Sequence, residues 1–365
     1  MARIQTLPEI RQIFKNVIIA QFLDDAYHLS GSERTRETYR QVLYSFNRFC
    51  NISYDKNLLE VIDSIKSKSL EEVLDLFLNY KRYLDNHITR TSLPVANGSK
   101  RIHLSTLKNF CRAQGIRIHH EDVRDHVKIG RRMRVQKFPL DVQTIARIIE
   151  NLEQFHYKAL TILLASTGMR VMEALTLQPS DFDFESNPVS IKIRAGETKT
   201  NEGRSVYLTK ECTTMIEQLL VNKPPSQISL FGKPTDPIKI YHNYSSTLRN
   251  VFLKIGLSKR LDNGINQVTI HSFRSFFRTC AGHLISRDFA ESFIGHRFYL
   301  SEYQNMPEEE KKKLFLKLEP HITFRQTKIR KISNPEIFAL QEQVADLQNK
   351  IMMLGQKFLV VENFT

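Results

Sequence analysis

The chain has no run approaching the ~20 apolar residues that a membrane span needs, and its opening residues, MARIQTLPEIRQ, carry no long apolar stretch. A soluble, cytoplasmic protein is expected. Its four cysteines, Cys50, Cys111, Cys212 and Cys280, show no Cys-x-x-Cys spacing. They read as reduced, mostly buried thiols. No Gly-rich loop ends in Gly-Lys-Ser/Thr, and no group of carboxylates reads as a magnesium site. The run HHEDVRDH, His119 to His126, superficially resembles a metal cluster but lacks cysteine partners and a second ligand set. Neither a metal nor a cofactor is expected.

Acidic residues are also too few to balance the basic ones. Against 53 Lys and Arg stand 39 Asp and Glu, a net charge of +14 over 365 residues. That excess points to a polyanionic partner, most often nucleic acid. The length suits two domains with an appendage.

Residues 1–127 read as a helical domain. Tyr39, Val42, Leu43, Phe46 and Phe49 follow helical spacing with Arg36, Arg40 and Arg48 among them, and Leu70, Val73, Leu74, Phe77 and Tyr80 make a second stripe. Asn97-Gly98 reads as a turn before a helix carrying Leu104, Leu107, Phe110 and Cys111 and ending at Gly115. Residues 128–139 form a basic linker in which Lys128, Arg131, Arg132, Arg134 and Lys137 crowd around Gly130, as a strap across a phosphate backbone would. Residues 140–331 form the second domain. Helices are expected over 145–152 and 157–165, with Gly168 as a breaker. Arg170 then opens the next helix, where free backbone N–H groups would favour an anion. PVSIKI (188–193) and RSVYL (204–208) alternate like strands, and the loop between them carries Lys199. Tyr244, Leu248, Val251, Phe252 and Ile255 mark another helix, stopped at Gly256, and Pro307 with Glu308 signals a further start. Residues 332–365 read as an amphipathic or coiled-coil helix of about three heptads, Ile337 to Phe358.

The stretch His271 to Tyr303, HSFRSFFRTCAGHLISRDFAESFIGHRFYLSEY, gathers the most chemistry. At about 100° per residue, His271, Arg274 and Arg278 share one side of a helix. Phe273, Phe276, Phe277, Cys280 and Leu284 share the other. The aromatic face is expected to bury and the His/Arg face to line a surface or cleft. Asp288 with Glu291 suggests a capping box, and Gly295 a helix stop before His296.

These residue types suit attack on a phosphodiester. Arg170 and Arg274 can bond phosphate oxygens bidentately. His271 and Lys199 suit proton transfer, and Tyr303 suits the nucleophile once neighbouring charges ease its deprotonation.

The constellation resembles the tyrosine recombinase, or phage-type integrase, family. The resemblance rests on Thr167-Gly168-Met169-Arg170 with Glu173-Ala174-Leu175, Lys199 in the hairpin, His271-Ser272-Phe273-Arg274, Gly295-His296 and a following tyrosine. Ser32 to Phe49 resembles the start of the family's core-binding domain, and Tyr299 to Phe324 looks most like archaeal members. The resemblance implies a mainly α protein with a small antiparallel β-sheet (α+β), a helical core-binding domain, a catalytic domain and a C-terminal helix. It implies that Arg170, Arg274 and His296 hold the scissile phosphate, Lys199 protonates the leaving 5′ oxygen, His271 assists proton transfer and Tyr303 attacks. Arg36, Arg40, Arg131, Arg132, Arg134 and Lys137 would contact double-stranded DNA, and four copies would assemble on it. The family's nucleophile usually lies further beyond the Gly-His. Tyr303 is preferred here because Tyr299, three residues after His296, should still pack against the helix end. A type IB topoisomerase-like relaxase, a non-catalytic DNA-binding regulator on the same fold, and a structural coiled-coil protein are the competing readings.

Overall fold

The computed structural model describes residues 14–87, 94–131, 137–198, 202–222, 230–232, 236–261, 265–296 and 306–324. The chain divides into two compact units. One comprises Met1–Lys137 with Arg260–Asn266, the other Phe138–Lys259 with Gln267–Thr365.

The first unit is a bundle of α1 (Val17–Ser30), α2 (Glu33–Tyr54), α3 (Leu58–Ile65), α4 (Leu70–Asn86), α5 (Asn97–Ala113) and α6 (His120–His126). Helix starts follow local side-chain chemistry. Asn57 with Glu60, and Ser69 with Glu72, form reciprocal capping boxes that satisfy otherwise unpaired N–H groups at the starts of α3 and α4. Buried Asn47 on α2 accepts from the Leu58 N–H at 2.9 Å, fixing where α3 begins. Phe46, Phe49, Phe77, Tyr80 and Phe110 fill the core, so both expected stripes face inward except at Leu70, which opens α4 and is exposed. Asn97-Gly98 is not a separate turn but the first turn of α5. The Asn97 side chain instead donates to the Arg131 carbonyl at 3.2 Å. Arg101 donates to the Gly130 carbonyl at 2.8 Å. The start of the basic segment is therefore held against this bundle by backbone contacts.

The second unit contains α7 (Val142–Asn151), α8 (Phe155–Thr167), α9 (Val171–Leu175), β1 (Phe182–Asp183), β2 (Ser190–Ile193), β3 (Arg204–Tyr207), α10 (Lys210–Val221), α11 (Pro237–Lys254), α12 (His271–Leu284), α13 (Arg287–Phe293) and α14 (Glu308–Leu318). The three strands are antiparallel in the order β1-β2-β3, with Ile191 opposite Val206 and Ile193 opposite Arg204. The fold is thus mainly helical with a small antiparallel sheet. Two-residue β1 has too few residues to show alternation and was not expected. Pro237 opens α11 at a position where its missing N–H costs nothing. Helix α8 has no polar stripe because it runs through the centre of the unit, buried almost all round. Phe273, Phe277, Phe293 and Phe315 are fully buried in the same core, and each such ring contributes roughly 1.5–3 kcal/mol. Cys50, Cys111 and Cys212 are buried and Cys280 half-buried, all four as free thiols. Among the described residues no helix is long and apolar enough to cross a membrane.

Candidate active site

The site begins where α8 stops. Gly168 takes a left-handed conformation, φ +63, and a Cβ there would lie 2.6 Å from the Phe277 ring. Only glycine lets the chain leave α8 so close to α12. The backbone then turns, and Arg170 becomes the residue capping α9. The open anion site expected at this helix start is not there. The Arg170 N–H donates to Glu173 Oε2 at 2.9 Å, and its guanidinium Nη1 to Oε1 at 2.7 Å. Helix α9 is also only five residues long, so its dipole is small. What Arg170 presents is its partly exposed guanidinium, braced by a buried carboxylate.

Glu173 is shared. Arg204 on β3 donates from Nη2 to Glu173 Oε2 at 2.8 Å and from Nε to the Phe293 carbonyl at 3.0 Å. Burial alone would raise the Glu173 pKa, but Arg204 and Arg170 together hold it below the usual carboxylate value. Gly295, φ +78, lies directly over the Arg204 guanidinium, where a Cβ would stand 2.7 Å from Nη1. Arg204 therefore ties the end of α13, and with it the approach to His296, to the carboxylate that braces Arg170. The alternating strand pattern gave this arginine no distinguishing mark in the sequence.

Arg274 departs from expectation. The His/Arg face of α12 was to line a surface, yet Arg274 is only 5% exposed. Leu284, placed on the buried face, is exposed. The apolar arc is shifted because α12 packs on both α8 and α13, which covers the side where Arg274 lies. Arg274 donates from Nη1 to the Gly168 carbonyl at 2.7 Å. Its Nη2 is buried with no hydrogen-bond acceptor among the described residues, a costly state for a charged donor. Burial first, and the positive charge of Arg170 second, pull its pKa down to about 9. It still carries its charge at neutral pH. His271 begins α12 one turn earlier and is exposed.

His296 follows the Gly295 stop. The capping box expected of Asp288 and Glu291 is absent, because Ser286 caps α13 by accepting from the Phe289 N–H at 3.1 Å. That leaves Glu291, with its side chain 3% exposed, to bond Arg278 Nε at 2.6 Å through one oxygen and His296 Nδ1 through the other. Burial lowers the His296 pKa, Glu291 opposes this, and Arg274 and Arg170 add to the lowering. The net effect favours the neutral imidazole. His296 thus lies within the electrostatic reach of both arginines.

Lys199, Tyr299 and Tyr303 lie outside the described residues, as do Arg132, Arg134 and the heptads of 332–365. In the first unit, Arg36 pairs with Asp24 at 2.9 Å and Arg40 with Glu37 at 2.7 Å, so both guanidinium groups already have carboxylate partners. Arg131 and Lys137 are exposed. Among the described residues no group of three or more His, Cys, Asp or Glu is placed to hold a metal. Within the HHEDVRDH run, His126 pairs with Asp75 at 2.9 Å.

Residues 139–299 match the phage integrase family. Comparison with curated proteins gives no match. Among solved structures, a lambda integrase dimer bound to a core site aligns at 15% identity, covering 80% of this chain and 99% of that one, with a TM-score of 0.53. A lambda integrase tetramer bound to a Holliday junction aligns at 15% identity over 80% and 82%, TM-score 0.52. The Tn1549 transposon integrase in complex with a circular intermediate DNA aligns at 16% over 80% and 97%, TM-score 0.50. These identities speak to the fold. The arginines that converge around Glu173 and Gly168 lie within residues 139–299, the segment that matches the phage integrase family.

Proposed function

We propose that the chain is a site-specific DNA recombinase that cleaves and rejoins strands through a covalent 3′-phosphotyrosyl intermediate. The observation that carries this reading is the buried, unpartnered Nη2 of Arg274 beside Arg170 and His296. A non-bridging phosphate oxygen is the acceptor that would satisfy it. Bound phosphate would also offset the two guanidinium charges that hold the His296 pKa down. The imidazole would then take a proton and donate from Nε2 while Glu291 keeps Nδ1.

In the forward step the Tyr303 oxygen forms a bond to phosphorus and the bond to the 5′ oxygen breaks. The phenol proton leaves with help from His271, and Lys199 protonates the departing 5′ oxygen. A 5′ hydroxyl from another strand reverses the step, so the bond energy is kept and no nucleotide cofactor is called for. Two arginines stabilise the crowded charge on phosphorus. DNA contact by Arg131, Arg132, Arg134 and Lys137 fits the net charge of +14. Arg36 and Arg40 would reach phosphate only by exchanging their carboxylate partners. Assembly of four copies on two DNA sites is supported by the lambda integrase tetramer seen on a Holliday junction and by the heptads of 332–365. The sequence of Tyr299 to Phe324 supports an affinity with archaeal members.

The test uses nicked duplexes built on candidate inverted-repeat sites sought next to the coding region. The chain should form a denaturant-resistant protein–DNA adduct. Tyr303→Phe should abolish the adduct and leave binding intact, while Tyr299→Phe should still form it. Adduct loss with Tyr299→Phe alone would move the nucleophile. Absence of any adduct with binding retained would favour a regulator, and relaxation of supercoiled plasmid lacking such repeats would favour a type IB-like relaxase.

A further inference from the structure

Glu291 is a buried carboxylate with an unusual pair of partners. One oxygen takes Nε of Arg278, one turn beyond Arg274 on α12, at 2.6 Å, and the other faces His296 Nδ1. Arg278 is half exposed, on the wall of a surface cleft of about 270 Å³ between α12 and α13 that His283 and Arg287 also line. Resting on the recombinase reading, we infer that Arg278 and Glu291 are positioning residues for the scissile phosphate contact. Glu291 fixes the imidazole of His296 by its Nδ1 edge, and Arg278 limits how much negative charge Glu291 lends that ring.

An imidazole held at Nδ1 by an acceptor has one orientation and must present Nε2 outward. A lone carboxylate at hydrogen-bond distance would favour the imidazolium strongly. Here the carboxylate is shared with a guanidinium, so its pull on His296 is partly cancelled. The charged groups around the ring come from three directions. Glu291 comes from α13, Arg274 from α12 and Arg170 from the start of α9. Arg204 on β3 lies beneath Gly295 and bonds Glu173 rather than Glu291. With Arg170 and Arg274 pushing toward the neutral ring and Glu291 pushing toward the charged one, the balance is poised to change when a phosphate arrives. Arg278 is the one member of the set that can be altered at a solvent-exposed position.

The test follows the His296 side-chain resonances of the full chain, without DNA, as a function of pH, assigned by their loss in His296→Asn. In Arg278→Gln the imidazole should titrate at higher pH than in the wild type, because Glu291 is released to it. Arg278→Lys should return the midpoint toward the wild-type value. In Glu291→Gln it should titrate at lower pH. Opposite movements by two variants of one ion pair are not expected of a merely structural bridge. Glu291→Gln alters a buried group and can fail to fold, and Arg278→Gln keeps the question open to an answer in that event. An unmoved midpoint in Arg278→Gln, or one that falls, overturns the relay. The titration needs no cleavage, so the two readings separate. Shifted midpoints with no covalent adduct from the wild type would sink the recombinase reading alone. An adduct with unmoved midpoints would sink the relay alone. If both hold, Arg278→Gln should extend adduct formation to higher pH.

Discussion

Arg204 and Glu173 meet at 2.8 Å with both side chains 1% exposed, joining β3 to the helix that follows the first arginine of the site. A pair so deeply buried makes a modest net contribution while intact and a large one when half of it is removed. Arg204→Ala strands part of the Glu173 charge and frees the Phe293 carbonyl. It should cost about 3–5 kcal/mol. Denaturation followed by circular dichroism should show the transition of the second unit falling and that of the helical bundle unchanged. Replacing both partners, as Arg204→Met with Glu173→Leu, should recover much of the stability while leaving Arg170 unbraced and cleavage poor. Full cleavage in the double variant would show that the brace is dispensable.

Two left-handed glycines separate backbone strain from crowding. Gly31, φ +61, caps α1 with nothing within 4 Å of where an added methyl would stand, whereas the same methyl at Gly168 meets Phe277 at 2.6 Å. Gly31→Ala should cost roughly 1–2 kcal/mol for the left-handed conformation alone. Gly168→Ala should add roughly 1–3 kcal/mol of overpacking, and should also displace the carbonyl that Arg274 grips. Equal unfolding free energies for the two variants would mean that the Phe277 contact relaxes without cost.

Arg274→Lys keeps the charge but loses the planar fork that reaches the Gly168 carbonyl while leaving Nη2 for a ligand. Under the proposed mechanism, adduct formation on a nicked duplex should drop on the order of 10²–10³-fold. Overall DNA affinity, spread over many phosphate contacts, should change little. Its steep decline with salt should persist. A lysine variant as active as the wild type would remove Arg274 from the phosphate.

Why some of this was readable in the sequence and some not comes down to which residues sit at element boundaries. Gly168, Gly295 and the positions just after them are marked by chain breaks, so Arg170 and His296 could be placed on the corners where they stand. Arg204 and Glu291 could not. One opens a strand whose alternation gives it no distinguishing mark, and the other lies three residues after an aspartate, where it resembles a cap partner. Their roles arise from contacts with Glu173, Phe293 and His296 across the second unit. Local periodicity does not encode such contacts. The burial of Arg274 was hidden for a related reason. A helical projection assigns it a side but not the two neighbouring helices that cover that side.

The helical bundle carries its own pH sensitivity, through a histidine that takes no part in the proposed chemistry. His103 on α5 shares a 2.7 Å hydrogen bond between its Nδ1 and the hydroxyl of buried Tyr80 on α4. Burial, with a small contribution from His87, pulls its pKa down to about 4. In the unfolded chain the same imidazole titrates near ~6.5. The unfolded state therefore takes up a proton as pH falls through about 6.5, while the folded state resists until about 4, and stability is lost across that window. The slope should approach, at most, about 1.4 kcal/mol per pH unit. Depressed carboxylates such as Asp85, where burial is outweighed by Lys100 and Lys81, lose their contribution only below the ordinary aspartate value. Between pH 6.5 and 4.5 the effect of His103 is thus distinguishable from theirs. Denaturant titrations of the full chain across this range should show the wild type losing more stability than His103→Gln. Parallel lines for the two proteins would mean that the imidazole is charged in the folded bundle, and that the Tyr80 hydroxyl accepts rather than donates.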